Sequence, residues 1–573
     1  VRLLDSRRLT GPNLIWEYPG AVLDVVFGDV EPDLVVGAWC QQMRRILSEV
    51  GWHDEHFCVR RFSGGASLAI SAPVDALYTA TEINEAAWDA ARDLIEGGHR
   101  QLLQRVARQL RQEARDEARP RLRRLVEAAG RCQVPVVLDT EEVSLGLGKR
   151  SRCWDLAELP HPDDVDWSEL GRIPVALVTG TNGKTTTVRL LASIGEAAGL
   201  VTGVSSTDWL AVGGEIIDRD DYAGPQGART VLRDRRCELA VLETARGGLL
   251  RRGLAVAQAD AALITNIAAD HIGEFGVQDL DELADVKWVV TRALGVDSVL
   301  VLNADEPLLV ARANDIKASL IWFSPDPRNS VLSAHAAAGG VTCTLNRGRI
   351  VLRRGETLEA VAAVKKIPIC FGGAARHNVA NALGAAALAY GLGVEVGAIG
   401  RGLCALALED NPGRANLFEV GGATVLLDFA HNPHGLQALI EMASRLPAER
   451  RLLIIGQAGD RSDEDLCALA DAASGLRFDR VLLKHLDSKR RGRPEGETVA
   501  VLKRAFIAQG YRSRQIGEHR SETGALRSAL RWARPGDLIV FLAHEDRDAA
   551  YSLLEDLQAA NTDTAAWGGG EQC

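Results

Sequence analysis

Ten consecutive residues, Val178-Thr179-Gly180-Thr181-Asn182-Gly183-Lys184-Thr185-Thr186-Thr187, place glycines, hydroxyls and one lysine at a spacing that suits a phosphate group. Backbone N–H groups of a glycine-rich turn converge on an anion at a helix N-terminus. Lys184 would reach the terminal phosphates of ATP, and Thr185 would hold Mg²⁺. The strict form of this loop has glycine where Val178 stands. By itself the stretch predicts ATP binding and leaves open what the ATP is used for.

The flanking elements suit that role. Ile173 to Val178 is an apolar run that reads as a short buried strand, and Val188 to about Ala198 has helical periodicity. Further strand-like runs recur with helices between them: Ala240–Glu243, Ala261–Thr265, Ser298–Leu302 and Leu320–Phe323. This is the rhythm of a doubly wound, mostly parallel sheet, in which ligands bind at the carboxyl ends of the strands.

Polar residues fall at those ends. Glu243 closes one strand and could reach Mg²⁺ beside the loop, or serve as a helix N-cap or surface acid. Asn266 ends the next strand and is followed by Asp270 and His271, which could orient phosphate or bind a second metal. Lys287 lies in the helical run Leu280 to Leu294, where a plain surface lysine is the alternative.

Composition narrows the rest. The 573 residues predict about three or four domains. A net charge of −11 argues against nucleic-acid binding. No apolar run approaches the ~18–20 residues of a membrane span, and the start lacks a signal-peptide pattern. Ten cysteines are scattered with no Cys-x-x-Cys pair, which predicts incidental thiols in a reducing cytoplasm.

Before the loop, Ala21–Phe27 and Ala66–Ser71 read as strands, and Val36–Val50 and Glu82–Glu96 as amphipathic helices, making a small α+β module. An arginine-rich helical stretch, Gln101 to Ala129, should split at Pro120. It reads as a solvated face with i,i+4 ion pairs, or as a surface for an anionic partner. Val134–Leu138 reads as a strand and Ser144–Ser168 as a linker. Residues 329–371 suggest antiparallel hairpins, followed by helices over 377–391 and 395–407. From Arg414, the strands Thr424–Asp428, Leu452–Ile455, Arg480–Leu483 and Leu538–Phe541 predict a Rossmann-like domain without a Gly-x-Gly-x-x-Gly fingerprint. The tail after Asn561 reads as disordered.

Taken together, the phosphate loop, Glu243, the stretch 265–271, Asn303-Ala304-Asp305-Glu306, Arg376-His377-Asn378, Pro412-Gly413-Arg414 and Asp428-Phe429-Ala430-His431-Asn432-Pro433 resemble the Mur ligase family. They span about 173–545 in the family's order. Within that family, Ser206-Thr207-Asp208, Gly224 to Asp234, Gly459 to Asp465, and Arg491-Gly492-Arg493-Pro494-Glu495-Gly496-Glu497 look like the ligase half of cyanophycin synthetases. Arg8 to Asn13 resembles their first domain. The ATP-grasp domain those enzymes carry between the two regions has no room here. A His-x-x-Glu-His metal pattern is likewise missing from residues 1–100.

The resemblance implies an α/β protein in three parts: an N-terminal α+β module with linker (1–165), a P-loop central domain (166–412) and a mobile C-terminal Rossmann-like domain (413–573). It implies an ATP- and Mg²⁺-dependent ligase that joins an acceptor carboxylate to an amino acid through an acyl phosphate. Lys184, Glu243, His271 and Lys287 would be catalytic, with Thr185, Glu243 and His271 on metal and Lys287 carbamylated. Asn266, Asn303, Arg414 and Asp428 would join Gly180 to Thr186 in holding ATP. Ser206, Thr207, Asp208 and Arg229 are candidates for an aspartate-containing or other peptide acceptor. Arg491, Arg493 and Glu497 are candidates for the amino acid. Alternatives are a peptidoglycan- or folate-type Mur ligase and a non-catalytic ATP-binding subunit. Homo-oligomerisation and a separate ATP-grasp partner stay open.

Overall fold

The protein is seen in a computed structural model that describes residues 1–97, 103–270 and 272–567. Strands β1 (Arg2–Leu9), β2 (Gly20–Val26), β3 (Phe57–Phe62) and β4 (Gly65–Ser71) form an antiparallel sheet in the order β1-β2-β4-β3. Helices Pro32–Val50 and Leu77–Glu96 bury Trp39, Met43, Ile46, Ile83 and Trp88 against it. Asn84 locks that core, accepting from Trp39 Nε1 (3.1 Å) and donating to Leu68 O (2.8 Å).

The arginine-rich stretch does divide at the proline, into helices Leu103–Glu117 and Pro120–Arg131. Glu117 is not spent on an i,i+4 pair. Its carboxylate accepts from Tyr78 N (2.9 Å) and Thr79 N (2.7 Å), the uncapped start of the preceding helix. The expected linker is more ordered than its composition suggests. β5 (Val136–Leu138), β6 (Glu142–Leu145) and β7 (Arg152–Asp155) make a three-stranded antiparallel sheet. Strands of three or four residues carry too few positions for alternation to register.

The central sheet has eleven strands: β8 (Val175–Thr179), β9 (Thr202–Ser205), β10 (Leu210–Val212), β11 (Glu215–Asp218), β12 (Leu239–Glu243), β13 (Ala259–Ile264), β14 (Leu294–Asn303), β15 (Ser319–Ser324), β16 (Val341–Asn346), β17 (Arg349–Arg354) and β18 (Thr357–Ala363). Their order is β11-β10-β9-β12-β8-β13-β14-β15-β16-β17-β18. The seven from β9 to β16 are parallel, and antiparallel strands extend both edges. Along β8, Val175 and Leu177 enter one core while Ala176 and Val178 enter the other, so helices cover both faces.

The last sheet is β19 (Asn416–Val420), β20 (Ala423–Asp428), β21 (Arg451–Ile455), β22 (Arg480–Lys484), β23 (Ile516–His519) and β24 (Leu538–Leu542). Its order is β19-β20-β24-β21-β22-β23, parallel except for the β19–β20 hairpin. The closing helix Arg547–Trp567 continues past Asn561, where the sequence predicts a disordered tail; residues 568–573 of that tail lie outside the described residues. Among the described residues, no helix is long and apolar enough to cross a membrane.

Candidate active site

β8 lies between β12 and β13, and its carboxyl end delivers the chain into the phosphate loop. Gly180 (φ 141°) and Gly183 (φ 84°) hold backbone that L side chains rarely adopt. A Cβ at 180 would meet Thr265 Oγ1 at 1.9 Å, and one at 183 would meet Asn381 Oδ1 at 2.2 Å. Asn266 clamps the turn: its Oδ1 accepts from Asn182 N (2.9 Å) and its Nδ2 donates to Asn182 O (3.0 Å). Thr181 Oγ1 accepts from Ala268 N (3.0 Å), and Lys184 Nζ donates to Thr181 O (2.9 Å). These bonds fix the loop at the start of helix Lys184–Ala197. Val178 sits in the core, inside β8, where a glycine would pack nothing.

Glu243 stands beside this loop, at the end of β12, and is 1% exposed. Its Oε1 accepts from Thr185 Oγ1 (3.2 Å) and Thr207 Oγ1 (2.7 Å), and its Oε2 from Thr207 N (3.1 Å). A carboxylate and a hydroxyl at the mouth of an anion cradle are hard oxygen donors, so these residues fit Mg²⁺ together with nucleotide phosphates. Among the described residues, no group of three or more His, Cys, Asp or Glu side chains forms a further metal site. His271, expected on a second metal, lies outside the described residues.

Lys287 is not a surface lysine. It is 3% exposed on helix Leu280–Trp288, sharing its buried stripe with Leu283 and Ala284. Burial drives its ammonium well below the ordinary lysine range, and Lys184 and Arg246 add repulsion that Asp270 only partly offsets. Asp221, which sequence reasoning passed over, lines the same cleft. Burial raises its carboxyl, Glu243 adds to the rise, and Lys184 opposes it.

The C-terminal domain closes over the loop. Asn182 and Asn432 exchange side-chain amide hydrogen bonds, and Asp270 pairs with Arg461 (2.8 Å) and His431 (3.4 Å). Asp208 sits between three guanidiniums: Arg189 and Arg547, each at 2.5 Å, and Arg414 at 3.6 Å. One continuous cleft of about 1220 Å³ results, walled by Lys184 and Lys287 of the central domain, Gln457 and His544 of the C-terminal domain, and Arg8 and Tyr78 of the N-terminal module.

Residues 178–389 match the model of the Mur ligase middle domain, and residues 413–544 that of the Mur ligase glutamate ligase domain. This chain belongs to the Mur ligase family. It is 36% identical to the cyanophycin synthetase of Trichormus variabilis over 403 residues, which is 69% of this chain but 44% of that one. The chain thus spans less than half the length of these curated relatives. It is 27% identical to the UDP-N-acetylmuramoyl-L-alanyl-D-glutamate–2,6-diaminopimelate ligase of Geobacter metallireducens, over 65% of this chain and 74% of that one. The solved structure of E. coli FolC in complex with DHPP and ADP shares the fold, with a TM-score of 0.50 at 20% identity, covering 68% of this chain and 89% of that one.

Within this Mur ligase, the candidate residues divide. Thr207, Arg229 and Arg491 line the cleft, the last paired with Asp460. Asp208 is turned into the interdomain ion cluster. Arg493 binds Asp463 (2.7 Å) and Arg461 O (2.8 Å), and Glu497 is exposed at a helix start. Asn303 donates to Thr265 O (3.0 Å) and accepts from Asp305 N (3.0 Å), bracing the strand ends rather than facing the cleft. Asp428 accepts from Ala415 N and Ala430 N, both at 2.7 Å, and burial raises its carboxyl although Arg414 opposes the rise. Arg414 also lies over the Phe429 ring at 4.9 Å. Thr186 Oγ1 faces Asn411 Nδ2 at 3.5 Å, on the linker side of the loop.

Proposed function

We propose that this chain is an ATP-dependent acid–amino-acid ligase that forms an amide or isopeptide bond through an acyl phosphate. The observation that carries this reading is Lys184, which lines a cleft walled by all three parts of the chain, with the bonded pair Thr185 and Glu243 directly behind the phosphate loop. Similarity to cyanophycin synthetases over 403 residues supports an aspartate-containing peptide or a related carboxylate as acceptor.

In the first step an acceptor carboxylate oxygen attacks the γ-phosphorus of ATP, and ADP leaves. In the second the amine of an amino acid attacks the acyl carbon, phosphate leaves and the amine gives up a proton. The first step brings two anions together, so positive charge at the loop is the main requirement. Lys184 supplies it at the terminal phosphates. Thr185 and Glu243 would hold Mg²⁺, which when bound neutralises phosphate charge. Lys287, whose ammonium burial disfavours, lines the same cleft, and we propose it as a carbamylated member of the site. Thr207 and Arg229 face the acceptor, Arg491 the amino acid, and docking of the C-terminal domain excludes water from the acyl phosphate.

Phosphate release with ATP and Mg²⁺, screening all amino acids against aspartyl peptides and small carboxylic acids, tests the reading, with mass spectrometry of the product. Lys184→Ala should abolish amino-acid-dependent release. Glu243→Gln should lower kcat by about two to three orders of magnitude with the fold intact. Unchanged turnover in either variant refutes the assignment.

A further inference from the structure

The N-terminal module turns one face of its sheet toward the central domain. Along β3, Phe57 and Val59 pack with the helices of the module, so alternation puts Arg60 and Phe62 on the opposite face. Phe62 is 8% exposed, although it lies outside the core that holds Trp39 and Trp88. Its ring lies between two glycines. A Cβ at Gly65 of β4 would meet Phe62 Cε2 at 2.5 Å, and one at Gly276 of the central domain would meet Phe62 Cδ1 at 2.5 Å. Arg60 Nη1 donates to Gly276 O (3.3 Å), and Arg60 Nη2 pairs with Glu282 Oε1 (3.3 Å).

Both residues grip the loop between Asp270 and helix Leu280–Trp288, which bears Lys287. Asp270, Glu274, Phe275 and Lys287 all line the cleft. The loop is built against its own backbone preference. Phe275 has φ 52°, which a bulky L residue adopts only where its surroundings compel it. The turn around it is tight: Gly273 N donates to Val277 O (2.6 Å), and Val277 N to Glu274 O (3.1 Å). Arg7 of β1 lies over the Phe275 ring at 5.1 Å. Arg7 is itself fixed, donating from Nε to Leu250 O (2.8 Å) and pairing with Asp24 (2.5 Å). From the central domain, Arg251 reaches the same ring at 5.7 Å and Arg246 pairs with Glu274. Val277 is buried in the central core, and Asp279 caps the helix by accepting from Glu282 N (2.8 Å). Glu282 therefore ties the first turn of the Lys287 helix both to its cap and to Arg60.

We propose that the N-terminal module is a positioning element of the phosphate site: Arg60 and Phe62, with Arg7, clamp the strained loop Gly273–Asp279 and so hold Asp270 and Lys287 in the cleft. None of the three need touch a substrate; they act through the loop. Their effect on turnover rests on the ligase reading, and the clamp itself rests on these contacts.

Hydrogen–deuterium exchange followed by mass spectrometry on the full-length protein reads the clamp directly. In Phe62→Ala and in Arg60→Gln, peptides covering 273–279 should exchange at least about tenfold faster than in wild type, while helix Lys184–Ala197 exchanges as before. Phosphate release from ATP and Mg²⁺, with penta-aspartate and a mixture of all proteinogenic amino acids, reads the consequence. The kcat should fall at least about tenfold with the KM for ATP within about twofold. Phe62→Leu, which keeps an apolar side chain between the two glycines, should recover most of that loss. Arg61→Gln, beside Arg60 but on the helix side of the sheet with Asp33, should match wild type in both readouts. Arg60 is partly exposed, so Arg60→Gln carries the test should Phe62→Ala fail to fold. Unchanged exchange over 273–279 in the folded variants, or faster exchange with unchanged kcat, overturns the proposal. A wild-type protein that releases no phosphate would overturn the ligase reading instead, and exchange would still decide whether the module holds the loop.

Discussion

Asn182 at the tip of the phosphate loop and Asn432 at the start of helix Pro433–Ser444 are 250 residues apart and exchange side-chain amides: Nδ2 of the first donates to Oδ1 of the second (3.1 Å), and the reverse bond is 3.0 Å. Asn182 also faces His434 Nδ1 at 2.9 Å. Asn432 is the N-cap of its helix, accepting from Gly435 N (2.8 Å). The loop that would grip nucleotide is therefore bolted directly to the domain that closes over it.

Asn432→Ala should cost about 1–2 kcal/mol, because a helix cap and an interdomain pair are lost together. Asn182→Ala removes the pair and the contact with His434 but leaves the cap. A double-mutant cycle on urea unfolding should return a coupling of about 0.5–3 kcal/mol. Strict additivity would mean that the amides do not bind each other in solution.

Replacing either loop glycine should be felt at the nucleotide rather than in the fold. Gly180→Ala pushes a methyl into Thr265, and Gly183→Ala pushes one into Asn381, each from a positive φ. Strain of about 1–3 kcal/mol at the cradle predicts a fall in ATP affinity of about tenfold or more. A fluorescent ATP analogue reads this out, and wild-type affinity in both variants would count against the loop as the site.

Asp208 should govern domain docking in a pH-dependent way. Burial alone would raise its carboxyl, but Arg414, Arg189 and Arg547 outweigh it and hold the group well below the usual carboxylate range. A depressed folded value means the stabilisation is complete above the unfolded value near ~4 and is lost as pH falls through the folded one. Small-angle scattering should show the docked form unchanged from pH 7 to 5 and an expanding molecule well below pH 4. Asp208→Asn should expand it at neutral pH, since an unpaired buried cluster costs about 3–5 kcal/mol. A compact Asn variant would show that other contacts hold the domains.

Much of the site was readable because it is local. Gly180 to Thr187 is one turn and one helix start, and Glu243 and Asn266 end apolar runs long enough to be strands, so their positions follow from periodicity and chain direction. Lys287 carried a signal that went unused: Leu283 and Ala284, four and three residues before it, place it on the buried stripe. The strands β9, β10 and β11, of three or four residues, carried none.

By itself, then, the chain's order of residues determined the phosphate loop, the parallel core around it and the Mur ligase family, since each depends on neighbours within a few residues. Tertiary structure alone decided the rest. It turned Asp208 from a cleft residue into the centre of three guanidiniums, one of them 339 positions away. It made Asn182 a bolt as well as a cradle, and it set Thr10 against Arg229 and Arg8 against Arg252 across a seam between distant stretches of the chain. Charge and hydrogen-bond partners at such separations are chosen by which faces pack, and no local pattern records that choice.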